Sequence, residues 1–316
     1  MRIIAVEEHF STEESRRHFH PPIVTSPGET NRAMKPSVIQ DDLNDIEKRL
    51  ADMDACGIEM QVLSLGPGIE QYEASLGTAL AKSTNDKIAA VVKQYPQRFA
   101  GLAVIAPQDP LAAAKELERA VKELGLKGAM IKSNVQGEYL DLKKYWVIFE
   151  AAEKLGVPIY LHPKEPSPGM IKPYLDYPEL AGAMWGYGAE AGLHAMRLIC
   201  SGVFDKYPGL QIILGHLGEG IPFWLWRIDS RSAGNKTQKK ASQYFKEHFM
   251  VSISGMFWEP ALQLVYSAMG AERILFATDY PSESLEEAVR CIQDWPISVE
   301  DKEKIWHLNA EKLLRL

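Results

Sequence analysis

Five residues spread from one end of the chain to the other are able to bind a metal ion: Glu7 and His9 in "RIIAVEEHFS", His162 in "VPIYLHP", His216 in "IILGHLGEG" and Asp279 in "ILFATDYP". Each stands at the end of a short apolar run of the kind that forms a buried strand. After Ile3-Ile4-Ala5-Val6, strand alternation puts Glu7 and His9 on one face and Glu8 on the other. An unpaired buried carboxylate is costly, and a partner charge or a cation is the usual remedy. Two imidazoles and two carboxylates are borderline-hard donors that suit Zn2+ or Mn2+, neutralise a divalent ion and leave room for a substrate oxygen. Singly, each residue has an ordinary structural reading, such as a hydrogen-bonded core histidine or a helix-capping aspartate. Their coincidence at strand C-termini points instead to one mononuclear metal site.

Such a site requires elements that bring distant segments to one place. Strand-like runs occur at residues 3–8, 60–65, 99–106, 128–131, 157–162, 210–216, 249–254 and 274–279. Helical patterns alternate with them at 42–56, 72–95, 110–124, 142–155, 190–201, 221–232, 259–269, 285–294 and 301–314. Nearly all-apolar strands such as Gln211-Ile212-Ile213-Leu214 belong to a parallel sheet covered on both faces. Eight such units predict a single α/β domain over residues 1–316, a (β/α)8 TIM barrel, in which strand C-termini share one mouth. No glycine-rich dinucleotide loop follows the first strand, which argues against an open doubly wound sheet, and no organic cofactor is expected. Two segments, at about 11–40 and 164–187, are longer than connectors and would overhang that mouth.

Composition narrows the function further. With 46% hydrophobic and 24% charged residues in 316, the chain reads as a globular protein. A net charge of −7 gives no basic field for nucleic acid or an anionic membrane. Neither a signal-type apolar segment nor a membrane-spanning one is evident, so a cytoplasmic location is expected. The three cysteines, Cys56, Cys200 and Cys291, are widely separated and read as reduced thiols.

The motifs "VEEHF", "ADMDACGIEMQVLSL", "YPQRFAGLAVIAPQDP", "SGVFDKYPGLQIILGHLGEGIPFWLWRID", "SGMFWEPAL" and "ATDYP" resemble, in order and spacing, the amidohydrolase superfamily. Within it they are closest to the metal-dependent, non-oxidative decarboxylases of hydroxylated aromatic acids, and "SPGMIKPYL" and "GAEAGLHAMRLI" are similar to 5-carboxyvanillate decarboxylase. The resemblance implies an amidohydrolase-type barrel, one divalent ion (Zn2+ or Mn2+), a small aromatic acid as substrate and a homodimer or homotetramer. It also implies roles: Glu7, His9, His162 and Asp279 as metal ligands, His216 and Glu219 as a paired active-site couple, Asp279 as proton donor, and Arg227 as the arginine that meets the substrate carboxylate.

One departure stands out. "GAMIKSN" carries Lys132 where the relatives have Asn, so Lys132 is expected to contact substrate or to be carboxylated and bridge a second metal, a solvated lysine being the plain alternative. Arg32 in the first long segment is a further substrate-binding candidate, ahead of Arg16 and Arg17. His18, His20, Phe10 and Trp258 are weaker candidates for lining an aromatic pocket, His194 reads equally as structural, and His248 and His307 as packing or surface residues. A hydrolase or hydratase of the same superfamily is the competing reading, and a non-catalytic barrel gives no reason for the donor set.

Overall fold

The computed structural model describes residues 2–18, 45–66, 68–232 and 237–316. All eight expected strands are present: β1 (Ile4–Phe10), β2 (Met60–Leu65), β3 (Phe99–Gly101, continuing as Ala103–Val104), β4 (Ala129–Lys132), β5 (Ile159–His162), β6 (Ile212–Leu214), β7 (Phe249–Ser252) and β8 (Ile274–Leu275). Each pairs in parallel with the next. At Leu102 the ladder passes from β2 to β4, since Leu102 N–H donates to Leu63 O at 2.8 Å and Ala103 N–H to Gly128 O at 2.7 Å. Closure comes from the last segment: Val6 N–H donates to Phe276 O (3.1 Å), Asp279 N–H to Glu7 O (3.0 Å) and His9 N–H to Tyr280 O (2.8 Å). The expected (β/α)8 barrel is therefore what the chain forms.

Its interior is filled by alternate strand residues, among them Ile4, Val6, Met60, Val62, Leu102, Met130, Tyr160, Ile213, Met250 and Leu275. A second shell of apolar residues lies between strands and the surrounding helices. The helices begin where the sequence supplies caps: Asp45 accepts from Lys48 N–H, Asp109 from Ala112 N–H ahead of Pro110, and Ser284 from Glu287 N–H. Among the described residues, no helix is long and apolar enough to cross a membrane.

Several boundaries differ from expectation for identifiable reasons. β1 runs on to Phe10 and carries a bulge: Ala5 is opposite Gln61 and Glu8 opposite Leu63, so β1 has one residue more than β2 between those pairs. From Ile4 and Val6 in the interior, strict alternation would send Glu8 inward and Glu7 outward. The extra residue reverses this, so Glu7 and His9 enter the barrel while Glu8 faces the helices. β6 and β8 stop short of His216 and Asp279, which lie beyond them in turns. The helix Ala241–His248 was not anticipated, its pattern being too short and polar. The last expected helix is divided into Val299–Glu303, a π turn Lys304–Leu308 and Asn309–Leu314, where adjacent Ile305 and Trp306 are both buried.

Outside β1 a buried polar group locks the bulge. Glu8 accepts from Gln61 Nε2 (3.1 Å), from Thr278 N–H (2.8 Å) and from Thr278 Oγ1. Arg49, fully buried, donates to Gln61 Oε1 at 2.9 Å and to the carbonyl of His9, and its guanidinium lies 4.3 Å from the Tyr280 ring centroid. Burial pushes the Glu8 carboxyl up to about 8 against the donors of Thr278 and the charge of Arg49. Replacing Arg49 with Met is expected to cost about 3 kcal/mol, because two buried acceptors lose their donor. Urea unfolding checks this, and a loss within experimental error of zero would contradict it.

Candidate metal centre

Glu7, His9, His162 and Asp279 each offer a ligand atom, and these atoms all lie within 4.8 Å of one another. The two histidines approach Nε2 to Nε2 at 3.1 Å, His9 Nε2 is 3.0 Å from Asp279 Oδ1, and His162 Nε2 is 3.1 Å from Glu7 Oε1. His162 Nδ1–H donates to the Pro163 carbonyl at 2.6 Å, which leaves the Nε2 lone pair facing inward. Ser64 Oγ lies 3.4 Å from the outer nitrogen of His9.

Glu7 is held by residues that the sequence reading missed. Its Oε2 accepts from Tyr160 OH, from Ser252 Oγ at 3.1 Å and from Ser254 Oγ. Its Oε1 is buried and accepts no hydrogen bond among the described residues. The signal was present in the alternation: Tyr160 precedes His162 by two in β5, and Ser252 and Ser254 put hydroxyls on an otherwise apolar inward face. Gly215 makes room, since a Cβ there would stand 3.2 Å from Glu7 Oε2 and 3.4 Å from Tyr160 OH.

Electrostatics separate the three histidines. Burial, followed by the charge of Lys132, lowers His9 and brings His162 down to about 4, so both are neutral imidazoles. His216 goes the other way: burial opposes its charge, but Glu219, Asp279 and Glu7 together raise it well above the usual histidine range. Burial would likewise raise Glu7 and Asp279, yet His162 and His216 bring Glu7 to about 2, and His216 and His9 hold Asp279 below the ordinary carboxylate range. Two neutral imidazole nitrogens at van der Waals distance, two ionised carboxylates and one orphaned carboxylate oxygen are a donor set that fits a divalent ion.

His216 and Glu219 form the expected couple, with Nδ1 to Oε1 at 2.8 Å, and His216 Nε2 lies 3.9 Å from Asp279 Oδ2. They belong to a left-handed stretch: φ is 49° at His216, 56° at Leu217, 81° at Gly218, 51° at Glu219 and 77° at Gly220. Asp279 has φ 61°. Left-handed non-glycine residues cost about 1–2 kcal/mol each and gather where function holds them. His216 N–H donates to Ser254 Oγ at 3.2 Å, tying this stretch to the donors of Glu7.

A family model described as Amidohydrolase matches residues 17–316. The chain belongs to the amidohydrolase family. It is 39% identical to a gamma-resorcylate decarboxylase of Polaromonas sp., over 99% of this chain and 98% of the relative. It is 36% identical to one from Rhizobium sp., with the same shares covered. Among solved structures, 5-carboxyvanillate decarboxylase from Sphingomonas paucimobilis superposes with a TM-score of 0.91 at 36% identity, covering 100% of this chain and 99% of that one. A dihydroxybenzoic acid decarboxylase from Polaromonas sp., holding manganese and 2-nitroresorcinol, gives a TM-score of 0.91 at 38% identity, covering 100% and 97%.

The remaining candidates of this amidohydrolase divide. Lys132 closes β4 beside the centre, 8% exposed, with Nζ 2.9 Å from His162 Nδ1, and burial pushes its ammonium down to about 8 despite Asp279 and Glu7. It is not a solvated lysine. Arg227 is exposed: its helix Ile221–Arg231 buries Ile221, Pro222 and Leu225 and turns Phe223, Trp224, Trp226 and Arg227 outward. Among the described residues it makes no hydrogen bond or ion pair with the centre. Arg32 and His20 lie outside the described residues. Arg16 and Arg17 sit in the short helix Glu13–Arg17, bonded to Ser11 and Glu13, and His18 caps its end. Phe10 is buried in the outer core and Trp258 is exposed. His194 is structural, since Leu140 N–H donates to its Nε2 at 2.9 Å and Ser133 Oγ lies 3.3 Å from its Nδ1. His248 Nδ1–H donates to Leu210 O, and His307 faces Glu311.

Proposed function

We propose that this amidohydrolase is a divalent-metal-dependent, non-oxidative decarboxylase of a hydroxylated aromatic acid, releasing CO2 and a phenol. The carrying observation is the Glu7–His9–His162–Asp279 cluster at one mouth of a barrel whose full length is shared with decarboxylases of such acids. Manganese is the favoured ion, as in the Polaromonas structure. When bound, the ion supplies Lewis acidity and a positive field for an anionic substrate.

A benzoate does not lose CO2 readily, because the departing electron pair would occupy an orbital orthogonal to the ring π system. Protonation of the carbon that bears the carboxylate avoids that anion. Asp279 Oδ2 is the group assigned to this step. Asp279 rests ionised, so it first takes a proton from the substrate's phenol and then passes it to the ring carbon. The C–C bond breaks with its electron pair returning to the ring, CO2 leaves with no net oxidation or reduction, and a proton from solvent restores the phenol. His216, held by Glu219, presents a positive N–H to the substrate's developing charge. Lys132 meets the substrate carboxylate, and Arg227 and Arg32 are further candidates for it.

The exposed Phe223, Trp224, Trp226 and Arg227 face supports a homodimer or homotetramer, in which a second copy covers these aromatics. Trp226→Glu is expected to shift the species seen by light scattering toward monomer, and an unchanged oligomer would remove this face from the interface. The reading as a whole is tested by measuring CO2 and loss of aromatic-acid absorbance across salicylate, resorcylate, dihydroxybenzoate and vanillate-type acids. Lactones that acidify the medium while no acid releases CO2 would instead establish a hydrolase.

A further inference from the structure

Two buried carboxylate oxygens near the mouth accept no hydrogen bond among the described residues: Glu7 Oε1 and Glu70 Oε2. The first faces the donor cluster. The second has no counterpart in the chemistry assigned so far. Glu70 is 2% exposed in the loop after β2, and its Oε1 accepts the backbone N–H of Lys132 at 2.8 Å. Its Oε2 and the Lys132 side chain converge on the space left by Gly68: a Cβ there would stand 2.5 Å from Glu70 Oε2 and 2.9 Å from Lys132 Cγ.

The Lys132 ammonium lies against His162, 2.9 Å from Nδ1 and 3.3 Å from Nε2. Neither nitrogen serves it once the centre is loaded. Nδ1–H is already a donor to Pro163 O, and Nε2 would give its lone pair to a bound cation. A buried ammonium beside a divalent ion then needs an anionic acceptor on its other side. Glu70 is buried against the backbone and stem of that lysine, makes no ion pair with its ammonium in this structure, feels the charge of Lys164 as well, and has an oxygen to spare among the described residues.

Resting on the decarboxylase reading, we propose that Glu70 is a positioning residue for Lys132: it holds the ammonium clear of His162 and the cation, aimed at the carboxylate of the incoming acid. Lys132 shares its protons between Glu70 and substrate, and Glu70 sets where the acid's anionic end can sit. Neither residue touches the reacting carbon.

A double-mutant cycle on manganese-loaded protein tests this. Glu70→Gln is expected to raise KM for the acid by about tenfold with kcat within about threefold, the signature of lost ground-state binding. Lys132→Met is expected to do the same. The double variant should be no worse than Lys132→Met alone, because Glu70 acts through the lysine. Manganese stoichiometry by atomic absorption should match wild type in all three. Should Glu70→Gln fold poorly, Gly68→Ala crowds Glu70 Oε2 and the Lys132 stem together and should reproduce the KM rise. Additive losses in the double variant, or a Glu70→Gln or Gly68→Ala protein with wild-type KM, would overturn the proposal, as would metal loss in Glu70→Gln. A wild-type enzyme that releases no CO2 from any acid would fail the functional reading instead.

Discussion

Asp279→Asn keeps most of its manganese and loses turnover by about a thousandfold, the scale of a removed general acid. The amide preserves the shape of the side chain and an oxygen to place opposite His9, which lies 3.0 Å from Oδ1 in the wild type. It cannot carry a proton from phenol to ring carbon. Quantifying CO2 release beside metal content separates the two roles of the residue. A variant with full metal and near-normal turnover would end the acid assignment, and one that loses both would reduce Asp279 to a ligand.

Exhaustive chelation lowers activity to background, and added Mn2+ restores it. The reason lies in the charge of the centre: two neutral imidazoles and two carboxylates have no internal means of neutralising each other. Against its burial, Glu219, Asp279 and Glu7 raise the proton affinity of His216 in partial compensation. Because the ion binds the folded chain, a thousandfold excess over its Kd adds roughly 4 kcal/mol to stability. Thermal melts in chelator and in Mn2+ therefore differ by several degrees in the same samples that are assayed. Turnover surviving complete removal of metal would refute the centre's role.

The barrel and the four residues able to hold an ion were legible because both rest on patterns that short-range chemistry imposes. Apolar runs ending in His162, His216 and Asp279 mark strands whose ends converge, and the helices between them carry ordinary caps. What escaped the sequence depends on tertiary detail. Glu7 and His9 share a face by alternation, but that face points into the barrel only through the bulge in β1, which no local preference announces. His216 and Asp279 sit beyond their strands in left-handed turns that only the surrounding contacts enforce. The protonation of the three histidines follows from burial and neighbouring charges. The helical period that buries Leu225 puts Arg227 on the exposed face of its helix, beside the aromatics proposed to meet a second copy. Glu70 offered no signal, since a lone glutamate in a loop usually faces water.

The extra residue in β1 also limits how this catalytic apparatus can be transplanted. An idealised eight-stranded scaffold with uninterrupted pleats could accept the same letters at the same positions and would still aim Glu8 into the lumen, with Glu7 and His9 against the helices. Engineers copying the constellation would have to import the irregularity with it, together with Arg49 and Gln61 that brace it from behind.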